Sequence, residues 1–323
     1  MKSKERGGVR LVLVLVTAVW FRFGHCSPVI LYLPEGKLKP VSGFIGSNAT
    51  GTNNNPNKEQ AKMLYPYALA CMTAYCYDSE GSDQNTCKQY TKRLNDLGFT
   101  SLRDDAKAFG ELFNAETEHF EHPSSGLLAR GFIDGSTKTL ILAFAGIDCG
   151  LSWRSLATIV SAGLIIKNCG SDAFTQARKL CTQLRLRYRH IILTGHSLGG
   201  AIAQYAGLAC NLPVIAFNSL ALPDSLKKIA TIWEGKDQTS KEKKNALILA
   251  HVEGEILNNS GIVARFLQHP HPEEACVFVI PPEKQESTYA SRHKGSSVVS
   301  ALKKQAEERL FCPASPISKS SGL

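Results

Sequence analysis

The chain has 323 residues, of which 43% are hydrophobic and 20% charged, and a formal net charge of +9. That balance supplies a sizeable core and excludes a disordered or collagen-like chain. The one long apolar run, Leu11 to Phe21, is too short to cross a bilayer, which excludes a polytopic membrane protein.

Residues 1–26 read as a signal peptide. Lys2, Lys4, Arg6 and Arg10 make a positive start, LVLVLVTAVWF makes the apolar centre, and Gly24 and Cys26 are small residues before a cut at Ser27. A secreted protein is therefore expected. Removing this segment takes away five basic side chains and one acid, which leaves a mild +5. No arginine-rich stripe with interleaved aromatics is present, so nucleic acid is not an expected partner. The residual positive charge is compatible with peripheral contact at an anionic membrane or lipid-droplet surface.

Residues 27–58 include GSNATGTNNNPN and read as a flexible leader. Residues 59–323 read as a single domain, with no internal repeat and no clean linker. Ten cysteines fit an oxidising compartment, and nine remain after a cut at Ser27, so at least one thiol is left over. Short loops make Cys76–Cys87 and Cys149–Cys169 the expected disulfides. Asn48 and Asn258 begin glycosylation sequons. No Cys/His cluster has metal-finger spacing, so no zinc is expected.

From Glu59 to Tyr77 the apolar positions Ala61, Leu64, Leu69, Met72 and Tyr75 predict a helix. A polar, Cys-containing connection follows, and then a second helix is expected from Arg103 to Phe113. ARGFIDGSTKTLILAFAG reads as strand, Asp-Gly-Ser turn and strand. After a long amphipathic segment, a helix is expected from about Ala173 to Tyr188. HIILTG is a short buried strand followed at once by helical sequence from Gly199 to Ala209. LPVIAFN, NALILAHV and ACVFVI are further strands, and Ser296 to Leu310 closes with a helix. Apolar strands alternating with helices predict an α/β fold with a mostly parallel sheet covered on both faces.

The chemistry lies in Gly195-His196-Ser197-Leu198-Gly199, a G-x-S-x-G motif between the strand HIILT and the helix GAIAQYAGLA. A sharp strand-to-helix corner needs glycines, lifts the serine hydroxyl clear of the sheet and places it at a helix N-terminus. Free backbone N–H groups there favour developing negative charge. The stretch IILTGHSLGGAIAQ, with GFIDGSTKTLILAFAG and ACMTAYC before it, resembles the class 3 (fungal-type) lipases of the α/β-hydrolase fold. The resemblance covers the chain from about residue 60 to about residue 310, and it implies a carboxylic ester hydrolase without cofactor.

A serine nucleophile requires a base and an orienting carboxylate, which in this fold follow in the order serine, acid, histidine. Of the later histidines, His251 lies in a strand, and His269 and His271 sit in the loop QHPHPEE. His293 follows the last strand and directly precedes the final helix, so it is the expected base. The acid is expected after NALILAHV. Glu255, followed by Ile256 and Leu257, fits the family pattern of an acid and two apolar residues, with Glu253 next and Asp224 as the outside candidate. Leu198 supplies one oxyanion N–H. By resemblance Ile147 supplies the other, although the family's hydroxyl residue and preceding arginine are here Ile147 and Ala145.

Between Cys149 and Cys169, the residues Trp153, Leu156, Ile159, Val160 and Leu164 recur with helical spacing where the resembled family carries its lid helix. Two functions follow as expectations. One is a secreted serine hydrolase that cleaves lipid esters, triacylglycerol or phospholipid, through an acyl-enzyme. The alternative is a catalytically inactive secreted binding protein on the same scaffold.

Overall fold

The computed structural model describes residues 56, 58–76, 84–103, 109, 112–146, 171–222, 224–234, 247–254, 276–282, 292 and 294–307. The signal, the leader apart from Pro56 and Lys58, Cys149 and Cys169, the expected lid segment and both sequons lie outside the described residues; Lys58, read as the end of the leader, opens the first helix.

The short apolar runs of the second half form strands because their side chains are buried on both faces. β5 (Leu140–Phe144), β6 (Ile191–His196) and β7 (Val214–Phe217) are buried at every position. β8 (Leu247–Val252) and β9 (Cys276–Ile280) continue the series, and β5 to β9 pair in parallel in chain order. Parallel neighbours require crossovers. α3 (Ser171–Arg185) connects β5 to β6, α4 (Leu198–Cys210) connects β6 to β7, and α5 (Asp224–Glu234) connects β7 to β8.

The other edge of the sheet is antiparallel. β2 (Phe113–Asn114), β3 (His119–His122) and β4 (Leu127–Asp134) lead into β5, and β1 (Phe99–Ser101) pairs with the C-terminal half of β4. The Gly135-Ser136-Thr137 turn between β4 and β5 is stabilised by the Asp134 carboxylate. Its Oδ1 accepts the Ser136 N–H at 2.8 Å, and its Oδ2 accepts the Thr137 hydroxyl at 2.8 Å. These bonds hold the Asp134 carboxyl below its usual range, against the opposing effect of its burial.

Two cores sandwich the sheet. On one face lie α1 (Lys58–Thr73) and α6 (Gly295–Glu307), which pack Leu64, Leu69, Val299 and Leu302 onto Ile141, Ile192 and Ile215. On the other face α3 and α4 pack Phe174, Leu184, Ile202 and Tyr205 onto Leu140, Leu142 and Leu193. In α3 the buried positions Ala173, Phe174, Ala177, Leu180, Cys181 and Leu184 form a helical stripe. The expected double-faced α/β sheet is what forms, and each large aliphatic side chain it buries contributes about 1.5–3 kcal/mol.

Two local expectations are corrected, and one helix was not anticipated. Phe113, expected to end a helix that starts at Arg103, lies in β2, where its ring meets Phe120 edge-on at 5.0 Å. Cross-strand aromatic packing decides that position over helical spacing. The connection read as polar contains α2 (Gln84–Asp96), whose one buried residue is Leu94, so it carried almost no apolar stripe to read. α5 is likewise short, and its buried signal reduces to Leu226 and Ala230. The expected Cys76–Cys87 disulfide is present and ties the end of α1 to α2. Among the described residues Cys71, Cys181 and Cys210 are buried free thiols.

Candidate active site

β6 is flanked by β5 and β7, and its last residue, His196, leads directly into Ser197. Ser197 has φ 56° and ψ −122°, a conformation costly for a residue with a side chain, on the order of 1–3 kcal/mol. The surroundings enforce it. The Ser197 N–H donates to the Phe217 carbonyl at 3.2 Å, and its own carbonyl accepts from Gly200 at 3.1 Å, Ala201 at 3.3 Å and Leu220 at 3.3 Å.

The motif glycines are dictated by contact rather than by backbone freedom. A Cβ at Gly195 would overlap the Gly199 carbonyl, and one at Gly199 would overlap the Phe144 carbonyl of β5. The tight corner therefore lays the first turn of α4 against the C-terminal end of the sheet. The N–H groups of Leu198 and Gly199, at the first two positions of that helix, have no acceptor one turn back within it, and no acid occupies the turn. Ser197 sits at 5% exposure at the positive end of a thirteen-residue helix.

Tyr75 joins the elbow to the end of β5. Its hydroxyl donates to the His196 carbonyl at 3.1 Å and accepts the Gly146 N–H at 2.9 Å, with His196 Nδ1 at 3.5 Å. Burial pushes the Tyr75 hydroxyl well above its usual range, so it stays protonated and able to donate. One turn earlier on α1, the Cys71 thiol contacts the Thr194 hydroxyl of β6 at 3.1 Å. Burial pushes this thiol up to about 12, so it is a packing group rather than a nucleophile. The Tyr75 hydroxyl therefore occupies the Gly146 N–H at the end of β5.

Tyr75→Phe removes two hydrogen bonds and leaves the part-buried Gly146 N–H without its acceptor. A roughly tenfold loss in kcat/KM for ester hydrolysis is expected, from about 1–3 kcal/mol per unsatisfied buried group. Wild-type kcat/KM in that variant would show that the clasp does not matter to the site.

Of the five expected site residues, Ser197 and Leu198 stand together at the elbow. Ile147, Glu255 and His293 lie outside the described residues, as do His269 and His271. Their chain neighbours are placed. Glu253 is exposed in the turn after β8, and its N–H donates to the Ile280 carbonyl at 2.8 Å. Arg292, which precedes His293, donates from Nη1 to the Glu253 carbonyl at 3.4 Å. Gly295, two residues after His293, begins α6, and a Cβ there would lie 3.4 Å from the His196 ring. His251 lies half-buried in β8 in register with Val279 of β9, and Asp224 opens α5.

Residues 68–269, more than half of the chain, match the family described as Phospholipase-like, the Tle-like phospholipase domain. The chain belongs to this family. Membership makes it a lipase- or esterase-type hydrolase of lipid esters, agrees with the class 3 lipase resemblance of its serine motif, and favours the enzyme over the inactive binding protein. The parallel sheet and the elbow after β6 are those of an α/β-hydrolase-type fold. Similar solved structures include a mutant form of MDLA from Penicillium cyclopium, 15% identical, covering 72% of this chain and 83% of that one at a TM-score of 0.39. Another is a fungal lipase, 14% identical, covering 74% of this chain and 83% of that one at a TM-score of 0.38. No curated protein matches the chain.

Tyr75 was not among the expected site residues of this phospholipase-like chain, although ACMTAYC carried part of the family resemblance. A tyrosine two residues past the end of α1, continuing its apolar spacing, reads as core, and its hydroxyl contacts depend on residues about seventy and one hundred and twenty positions away.

Proposed function

We propose that this protein is a secreted serine hydrolase that opens carboxylic esters of lipids by acyl transfer, with phospholipid acyl esters as its substrate class. Ser197 Oγ attacks the ester carbonyl carbon while His293 takes the hydroxyl proton, and the Leu198 and Ile147 N–H groups hold the oxyanion. The tetrahedral intermediate collapses, the carbon–oxygen bond to the glycerol side breaks, and His293 returns the proton to the leaving alcohol. Water, deprotonated by His293, then attacks the acyl-enzyme and releases the fatty acid and Ser197. Glu255 keeps the imidazole in the right tautomer and stabilises its charged form.

The observation that carries this reading is Ser197 itself, held at φ 56° at the N-terminus of α4 by backbone bonds from two neighbouring segments. A structure holds a residue in that region only where its surroundings impose it, and such strain gathers at functional sites. The phospholipase-like family favours the phospholipid ester over triacylglycerol. Residues 1–26 support secretion, and the Cys76–Cys87 disulfide fits the oxidising compartment that secretion implies.

The deciding experiment supplies the full chain with phospholipid vesicles and with a triacylglycerol emulsion, and in parallel labels Ser197 with a fluorophosphonate. Fatty acid released faster from the vesicles, with labelling that maps to Ser197, supports the proposal. Release from triacylglycerol alone would overturn the phospholipid assignment. No labelling and no release from folded protein would overturn the ester hydrolase.

A further inference from the structure

Asn218 closes the apolar run VIAFN at the end of β7, where a polar side chain has no packing reason to be. It is fully buried, with 0% exposure, and has φ 40°. Its backbone lies beside the elbow, since its neighbour Phe217 accepts the Ser197 N–H and Leu220 donates to the Ser197 carbonyl. Its own N–H donates to the Ala250 carbonyl of β8 at 2.9 Å.

The carboxamide reaches two other segments at once. Oδ1 accepts the Val252 N–H at 2.8 Å, and Nδ2 donates to the Arg292 carbonyl at 3.0 Å. One partner is a donor and the other an acceptor, so the amide has a single orientation. Val252 ends β8, three residues before Glu255, and Arg292 immediately precedes His293. The Arg292 guanidinium bonds back to the Glu253 carbonyl at 3.4 Å, so the same two segments are joined twice. A buried asparagine needed only to satisfy stray backbone groups could do so within one loop. This one spans the chain ends that carry the acid and the base, from a backbone that also holds the nucleophile.

We infer that Asn218 is a positioning residue for hydrolysis at Ser197. Its carboxamide fixes the backbone of Val252, three residues before Glu255 in the chain, relative to that of Arg292, the residue before His293. The inference rests on the roles given to Ser197, Glu255 and His293 under Proposed function. Its physical weight comes from the steep distance dependence of proton transfer, in which a misplacement of about 1 Å costs on the order of a hundredfold.

Asn218→Gly and Asn218→Asp test it. Both residues tolerate a positive φ, so neither adds backbone strain. Glycine removes both bonds. Aspartate keeps the acceptor for Val252 and sets a carboxylate oxygen against the Arg292 carbonyl. Active sites are titrated with a fluorophosphonate, and kcat per titrated site is read on a long-chain p-nitrophenyl ester.

The expected result is a kcat about 10–100-fold lower with KM within about twofold, in both variants. Wild-type kcat per titrated site in the glycine variant, accompanied only by a lower melting temperature, would overturn the inference and leave Asn218 a structural residue. If the glycine variant does not fold, the same comparison in the aspartate variant decides. Failure of the underlying reading looks different: wild-type protein that neither hydrolyses esters nor takes the probe overturns the hydrolase, and full kcat in His293→Ala overturns the assigned base.

Discussion

Ser197→Ala is expected to lower kcat for ester hydrolysis by at least roughly 10⁴-fold while leaving the melting temperature near that of the wild type. Removing the nucleophile of a serine triad costs on the order of 10⁶ in kcat, with a residual rate left by the oxyanion donors and substrate binding. Here the remaining donors do not depend on the serine hydroxyl, because the elbow is set by backbone bonds. Phe217 and Leu220 hold the Ser197 N–H and carbonyl, and an alanine in that place keeps both. Folding and activity should therefore separate cleanly. KM should change little, since the Oγ makes its bond in the reaction rather than in substrate binding. Fluorophosphonate labelling should vanish in step with kcat. Wild-type turnover in this variant would remove the nucleophile assignment and with it the acyl-enzyme mechanism.

What the sequence made legible divides along physical lines. The five parallel strands and the helix after Ser197 were readable because each is a continuous apolar run or a one-sided stripe, a signal that local periodicity carries. Ser197 was readable because the corner needs glycine on both sides, and only the glycines announce it: a Cβ at Gly195 or Gly199 meets backbone that cannot move away. Elements with little apolar content were not readable. α2 buries Leu94 alone, and the β2–β3 hairpin is decided by Phe113, Phe109 and Phe120 packing edge-on, a contact between positions that local spacing does not relate.

The same reason hid Tyr75 and Asn218. Tyr75 looks like one more apolar position continuing the spacing of α1, and Asn218 looks like the polar end of a strand. Each acquires its role from partners far away in sequence, Gly146 and His196 for one, Val252 and Arg292 for the other. Both sit at the seams between segments rather than on the segment that names the chemistry. Sequence motifs mark the atoms that react, whereas the groups that fix their distances are distributed over the fold.

Gly199→Ala is the second large effect expected, and it acts through geometry alone. The added methyl would overlap the Phe144 carbonyl and crowd the Ala145 carbonyl carbon at 2.8 Å and the Gly146 nitrogen at 2.9 Å. All three are backbone atoms of the strand end that leads to Ile147, and β5 is locked between β4 and β6, so the strand cannot retreat. The helix must move instead, and with it the Leu198 N–H and the Ser197 corner. Overpacking of this kind costs about 1–3 kcal/mol of stability. Displacing an oxyanion donor adds a loss of roughly 10²–10³-fold in kcat.

Gly207→Ala on the same helix supplies the control. Its methyl would overlap a Val214 side-chain methyl and touch the Leu212 carbonyl at 3.0 Å, a clash at the far end of α4 from the elbow. It should lower the melting temperature while kcat per titrated site stays at the wild-type value. Equal kcat losses in the two variants would mean that activity follows overall stability. A loss confined to Gly199→Ala would show that the spacing between β5 and the first turn of α4 sets the catalytic rate.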